Sequence, residues 1–252
     1  MNNKEKEIIV TRPYKVVYKD GDRIIKVFAE DHGKANVFNE ALNTARVEES
    51  GLDIPKVLGV SRIDDKWAVM IEYAEGETLE ARMQQHPEEL EHYMEQFVDL
   101  QLAMHAKKAP RLTLQRDKFA RKIESMKDVL DATNRYELLT RLDSMPSHTK
   151  LCHGDYNPSN VIVRPDNTMV IVDWAHATQG NASGDAAITY LQFALKDQQT
   201  ADLYLKIFCR KSDTAKQYVL KWLPIAAAAQ LTKKVEEEKE FLLRWADIID
   251  FQ

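Results

Sequence analysis

Apolar and polar residues follow two rhythms along this chain. Over the first 75 residues they alternate with a period close to two, and over most of the remainder the apolar positions recur at helical spacing. The alternating part predicts strands over Glu7–Val10, Lys15–Tyr18, Arg23–Phe28, Lys56–Val60 and Lys66–Tyr73. Asp20-Gly21 between the second and third runs is a strong hairpin signal, and Asp64-Asp65 marks the turn between the last two. Residues 34–49 read as a helix that ends at Ser50-Gly51. After Glu75-Gly76 the rhythm changes. Leu90, Tyr93, Met94, Phe97, Leu100 and Met104 place one apolar face on a helix over 87–109. Further helices are predicted over 115–130, 135–144, 184–196, 200–210, 214–228 and 230–248. The expectation is an α+β chain. Residues 1–75 form a small antiparallel-sheet lobe with one helix, and residues 76–252 a larger, mainly helical lobe, with ligands in the cleft at their boundary.

Composition narrows the classes. A chain of 252 residues with 44% hydrophobic and 30% charged residues is a globular protein with a sizeable core. A net charge of −5 argues against nucleic acid as a partner. Charge is uneven: residues 1–80 and 230–252 are acidic in excess, and residues 111–150 basic. No apolar run reaches the roughly 18 residues of a membrane span. The polar start MNNKEKE is no signal peptide. Cys152 and Cys209, far apart in apolar settings, read as free thiols. Together these predict a cytoplasmic protein with no membrane partner.

One hairpin interrupts the helical part. Val161-Ile162-Val163 and Met169-Val170-Ile171-Val172 flank Pro165-Asp166-Asn167, which has turn chemistry. Folded about Asp166–Asn167, the hairpin places Asn160 opposite Asp173, and Asp155 lies on a loop leaving the same end. A carboxylate and an amide at one point suit Mg²⁺, a hard cation that takes oxygen ligands and shares its shell with phosphates. The third group, Asp155, can take a proton from a hydroxyl. Any one of these residues alone is more often a turn or cap residue; the set is much rarer.

His153-Gly154-Asp155, Asn160 and Asp173 resemble the aminoglycoside phosphotransferase and choline kinase family, a branch of the protein-kinase-like fold. Protein kinases carry H-R-D-x-x-x-x-N followed by D-F-G. Here Gly154 replaces the arginine and Trp174 follows the aspartate, as in the small-molecule branch. The resemblance implies a bilobal kinase-like fold with ATP or GTP as phosphoryl donor. It implies that Asp155 is the catalytic base, that Asn160 and Asp173 hold Mg²⁺, and that His153 braces the loop. It calls for a lysine on the third strand and a glutamate on the small-lobe helix. Lys26 shares a strand face with Ile24 and Phe28, and Glu40 lies on the stripe of Val37, Ala41, Thr44 and Val47. A Lys26–Glu40 pair would aim the ammonium at the α- and β-phosphates. Adenine would meet backbone groups near Glu72 and Ala74, with Met70 lining the pocket. Asp185 would open the next helix and bond back to the catalytic loop. One element departs from the pattern: Thr11-Arg12-Pro13-Tyr14 has no glycine where a glycine-rich loop should cover the phosphates. Arg12 or Thr11 would have to compensate.

The acceptor site is expected over 196–252. Glu236, Glu237, Glu238, Glu240, Asp247 and Asp250 could bind amino groups, and Trp222, Phe241 and Trp245 could cage a quaternary ammonium. A solvated helix face over a buried stripe is the plainer alternative. The function expected is transfer of a γ-phosphoryl group to a hydroxyl of a small, sometimes cationic, molecule, as in aminoglycoside phosphotransferases. A choline/ethanolamine- or sugar-type metabolite kinase and a non-catalytic nucleotide-binding regulator remain as alternatives. Gly154, Trp174 and the lack of an Ala-Pro-Glu segment after Asp173 count against a protein kinase.

Overall fold

A computed structural model describes residues 7–247; Asp250 and the polar residues 1–6 lie outside the described residues. The chain divides into two compact units, one of residues up to Arg82 with Ser159–Ala177, the other of Met83–Pro158 with Thr178 onward. The hairpin that the sequence assigns to the second lobe therefore groups with the first. Elements are numbered in chain order.

In the first unit, β1 (Glu7–Arg12), β2 (Lys15–Asp20), β3 (Arg23–Phe28), β4 (Val57–Ile63) and β5 (Lys66–Glu72) make one antiparallel sheet in the order β1-β2-β3-β5-β4. The turns explain the pairing. Asp20 pairs with Arg23, so Gly21 and Asp22 form a two-residue loop, and Gly21 at φ 64° supplies the left-handed first position. Ile63 pairs with Lys66 across Asp64 (φ 47°) and Asp65 (φ 62°), and aspartate tolerates that region. Helix α1 (Lys34–Glu48) lays Val37 and Ala41 against Phe28, Val69 and Ile71, with Val57, Val60 and Trp67 packed around them. A small sheet adds β6 (Glu77–Thr78), β8 (Val161–Val163) and β9 (Met169–Ile171). After β9, the 3₁₀ turn Trp174–His176 packs on α1, where Asn43 Nδ2 donates to Ala175 O at 3.0 Å. Helix α2 (Leu79–Gln85) is too short and polar for its rhythm to announce it.

The second unit holds α3 (Leu90–His105), α4 (Gln115–Ser125), α5 (Ala132–Ser144), the strands β7 (Lys150–Cys152) and β10 (Thr178–Gly180), and α6 (Ala182–Ala194). It continues with α7 (Gln198–Ser212), α8 (Lys216–Leu220), α9 (Leu223–Leu231) and α10 (Glu236–Ala246). Helix α6 is buried along most of its length and packs against α7, α8 and α9. The rings of Phe97 and Tyr156 stack at 4.3 Å, and Phe193, Tyr204 and Phe208 extend that cluster. The single helix predicted over 214–228 is two. Pro224 sits in the first turn of α9, where its missing N–H costs nothing, and could not sit in the interior of a continuous helix. The helix predicted over 230–248 begins only at Glu236, because Lys234 turns left-handed at φ 55°. No helix among the described residues is long and apolar enough to cross a membrane.

Candidate active site

The candidate side chains fall into two groups, one in each unit. In the first, strand alternation and the β2–β3 register place Lys15 and Lys26 on one face of the sheet, since Lys15 pairs with Phe28 and Val17 with Lys26. Both lysines are buried, as is Glu40 in the middle of α1. Lys26 Nζ lies 2.6 Å from Glu40 Oε1 and 2.9 Å from Asp173 Oδ1. Lys15 Nζ lies 3.2 Å from Asp173 Oδ2. Burial by itself would push the Lys26 ammonium down, but the carboxylates of Asp173 and Glu40 more than reverse this and hold it above the ordinary lysine range. Burial would likewise raise Asp173, yet Lys26 and Lys15 drive it well below the usual carboxylate range. The two ammonium groups thus favour the ionised form of Asp173.

The hairpin leading to Asp173 differs in register from the expectation. Val161 pairs with Ile171, and Val172 N–H donates to Asn160 O at 2.9 Å, so Val172, not Asp173, lies opposite Asn160. The turn is the three-residue loop Pro165–Asn167 with Asn167 left-handed at φ 64°, which centres the hairpin on Asp166 and moves the pairing by one. A one-residue shift would turn Asp173 to the other face. Asp173 itself is left-handed (φ 65°, ψ 62°), however, and breaks the alternation at that point. Trp174 is then buried, its indole N–H donating to Ile171 O at 3.1 Å.

The nucleotide-side expectations are placed as follows. Met70 lies on β5 opposite Ile25. Glu72 is committed to the sheet: its N–H donates to Lys56 O at 2.9 Å, and its carboxylate accepts Lys56 N–H at 3.0 Å. Ala74 lies just beyond the strand, outside the ladder. Arg12 pairs with Lys15, so the glycine-free segment is a tight two-residue turn, Pro13-Tyr14. Thr11 and Arg12 point to solvent; the cation that reaches Asp173 from this corner is Lys15, which the sequence reading missed. An open crevice of about 550 Å³ lies between Asp53–Lys56, Glu72–Glu75 and Arg164–Asp166. None of Lys15, Lys26 or Asp173 lines it, so its size does not make it the phosphate site.

In the second unit, the loop after β7 is held from below by Asp185. This fully buried carboxylate accepts Gly154 N–H at 2.7 Å and His153 N–H at 3.2 Å, and His105 Nε2 lies 3.0 Å away. Burial alone would raise Asp185, but His105 and the loop amides pull it below the ordinary range. His153 faces inward, its Nδ1 accepting Asp155 N–H at 3.2 Å. Gly154 takes φ 78°, which the sharp turn of the loop requires. Asp155 Oδ1 accepts from Gln192 Nε2 at 2.6 Å and from Lys233 Nζ at 2.7 Å. Gln192 is seven residues after Asp185 on α6, two turns along the same face, and was legible in principle; Lys233 and His105 carry no local signal. Cys152 also lies near His105 and Asp185, all within 4.8 Å. Burial pushes its thiol well above the usual value, which leaves it protonated and a poor ligand.

Of the rings expected to cage a quaternary ammonium, Trp222 is too deeply buried to face an acceptor. Trp222 is buried against Phe119 and Gly184, while Trp245 meets Tyr190. Glu236, Glu237 and Glu240 are exposed on α10, with Glu236 paired to Lys239 and Glu240 to Arg244; Glu238 and Asp247 are partly covered.

The sequence matches the model of the phosphotransferase enzyme family over residues 11–216. The chain belongs to this family. It is a phosphotransferase with an alcohol group as acceptor. Solved structures agree in fold. A thermostable mutant of aminoglycoside phosphotransferase APH(4)-Ia, in ternary complex with AMP-PNP and hygromycin B, superposes with a TM-score of 0.71 at 16% identity, covering 96% of this chain and 90% of that one. Choline kinase LicA from Streptococcus pneumoniae gives 0.64 at 18% identity, covering 94% and 86%. A choline/ethanolamine kinase family protein from Mesorhizobium loti gives 0.62 at 14% identity, covering 94% and 80%. The fold is thus protein-kinase-like, a small antiparallel-sheet lobe and a helical lobe. No curated protein sequence gives a significant match.

Proposed function

We propose that this phosphotransferase uses ATP or GTP to phosphorylate a hydroxyl of a small molecule. The observation that carries the reading is the pair of lysines on Asp173, with Glu40 behind Lys26. Two buried ammonium groups aimed at one carboxylate are cations poised for the donor phosphates. Asp173 and the Asn160 side chain offer hard oxygen donors, which suits Mg²⁺; bound there, the ion would neutralise phosphate charge. Asp173 Oδ2, now on Lys15, is the oxygen such an ion would contest. Lys15 supplies the charge that backbone amides of a glycine-rich loop supply elsewhere, which removes the chief support for a non-catalytic regulator.

The acceptor hydroxyl oxygen attacks the γ-phosphorus as the bond to the β–γ bridging oxygen breaks. The nucleoside diphosphate leaves with that electron pair, and the hydroxyl proton passes to Asp155. Asp155 is held for this by the loop that Asp185 and His153 fix. Most of the rate enhancement in such transfers comes from positioning and electrostatics. Thermal-shift titration with ATP or GTP, with and without Mg²⁺, tests the donor half. Nucleoside diphosphate release on adding a hydroxyl compound tests the acceptor half. Absence of any nucleotide-dependent shift would refute the proposal.

A further inference from the structure

We propose that the acceptor is an anion, a small hydroxyl compound that carries a carboxylate or phosphate and is held by Lys118, Lys122 and Lys233. This rests on the reading of Asp155 as the base that meets the acceptor hydroxyl.

The geometry lies wholly within the second unit. Lys233 Nζ contacts Asp155 Oδ1 at 2.7 Å. Lys233 follows the end of α9 by two residues. Lys122, on α4, donates to Ala229 O at 3.1 Å in the last turn of the same helix. Lys118 is one helical turn before Lys122 and so shares its face. Lys233 thus touches Asp155 directly, and Lys122 and Lys118 lie on the neighbouring face of α4, near enough for the Asp155 charge to act on both. Burial, with Lys122 and Arg121 nearby, holds Lys118 down at about 7. Burial and Lys233 hold Lys122 at about 8. Asp155 and Asp185 are the carboxylates that oppose this, and Asp185 is already engaged by His105 and two amides.

A cationic acceptor would enter this field against repulsion. Of the carboxylates expected to attract one, Glu236 and Glu240 point outward on α10 in ion pairs of their own, and Glu237 is exposed beside them. An anion reverses the balance. It restores to the half-buried lysines the charge that burial disfavours, and it gives Lys233 a partner as Asp155 gains a proton. The hydroxyl to be phosphorylated would sit at Asp155, and the anionic group toward Lys118 and Lys122.

The test uses the full-length protein and two readouts. Binding without nucleotide is measured by calorimetry for matched probes: glycerol against glycerol 3-phosphate and glycerate, glucose against glucose 6-phosphate, and choline. Nucleoside diphosphate release with Mg²⁺ and ATP is measured for the same probes. At least one anionic probe should bind tenfold or more tightly than its uncharged parent and than choline. Lys122→Met should weaken that probe tenfold or more, and Lys122→Arg should restore it. Lys233→Ala, an exposed position, gives the same comparison should the Lys122 variant unfold. The proposal is overturned by equal binding of charged and uncharged members, by preference for choline, or by variants that raise only the KM for ATP. Anion binding without transfer would uphold this site and refute the kinase assignment of Asp155. Transfer to choline would uphold that assignment and refute this site.

Discussion

Lys15 takes the oxygen of Asp173 that Lys26 leaves, so that one carboxylate carries two buried ammonium groups from adjacent strands. Among the described residues Lys15 has no second acidic partner comparable to Glu40, and it is the freer of the two to follow a phosphate. Lys15→Met should therefore raise the KM for the nucleotide about tenfold, with a smaller fall in kcat. The change in KM alone equals roughly 1.4 kcal/mol of lost transition-state stabilisation, and the fall in kcat adds to it. Initial rates across a nucleotide titration decide it. An unchanged KM would confine Lys15 to a structural role.

Lys26 differs because its removal leaves Glu40 and Asp173 as neighbouring carboxylates with one ammonium fewer. Breaking a buried pair costs about 3–5 kcal/mol, since the surviving charge stays buried. Lys26→Met should lower stability by about that amount and reduce turnover by at least a hundredfold. Urea denaturation and steady-state rates would show both. The double variant Lys26→Met with Glu40→Leu should recover much of the stability without recovering activity.

Much of this cluster was legible from sequence. Glu40 stands on an apolar helical stripe and Lys26 on an apolar strand face, and a buried charge needs a partner. Lys15 was legible only through register, because it needs the pairing of Asp20 with Arg23 to be followed back along β2. The hairpin before Asp173 was misread by one residue because a left-handed Asn167 makes its loop three residues long. The break at Pro224 was open to view and overridden by the apolar rhythm around it. The convergence of Lys118, Lys122 and Lys233 depends on α4 packing against α9, which no local pattern encodes. Its faint trace is the basic excess over residues 111–150.

Asp155→Asn keeps the size of the side chain and an acceptor for Lys233, but removes the carboxylate proposed as the base. Transfer should fall by at least a thousandfold, while nucleotide binding by calorimetry stays within a few-fold of the parent. Asp173→Ala should instead lose Mg²⁺-dependent nucleotide binding. Activity of the Asp155 variant near the parent level would remove this residue from the chemistry.

Asp185 acts through the loop it holds. Asp185→Ala strands His105 and two backbone N–H groups in the interior, each a buried donor without its acceptor, at a combined cost of about 3 kcal/mol or more. Asp185→Asn can accept from only one side and should fall between. In both variants kcat should drop further than the KM for the nucleotide changes, because Gly154 and Asp155 lose their fixed position. Partial unfolding also lowers apparent kcat at constant KM, so rates are taken per folded molecule from urea titration; a kcat per folded molecule equal to the parent's would confine Asp185 to stability.

Lys118 gives the stability a defined pH dependence. Its pKa is about 7 in the folded chain and 10.5 when exposed, so between these values the unfolded state binds more protons than the folded state. Stability then rises with pH across that window. Below about pH 7 the ammonium is charged in both states, and its burial penalty is present in full. Lys118→Met should therefore stabilise the protein at pH 6 by about 1–3 kcal/mol, a range set below the full linkage value because the group is not wholly enclosed. Toward pH 10 the advantage should shrink as the parent's lysine is already neutral when folded. Urea midpoints of parent and variant at pH 6, 8 and 9.5 measure the difference directly, and other titrating groups cancel in it. A gap that stays constant with pH would mean that Lys118 is charged in the folded chain throughout, and one that widens with pH would reverse the sign of the coupling.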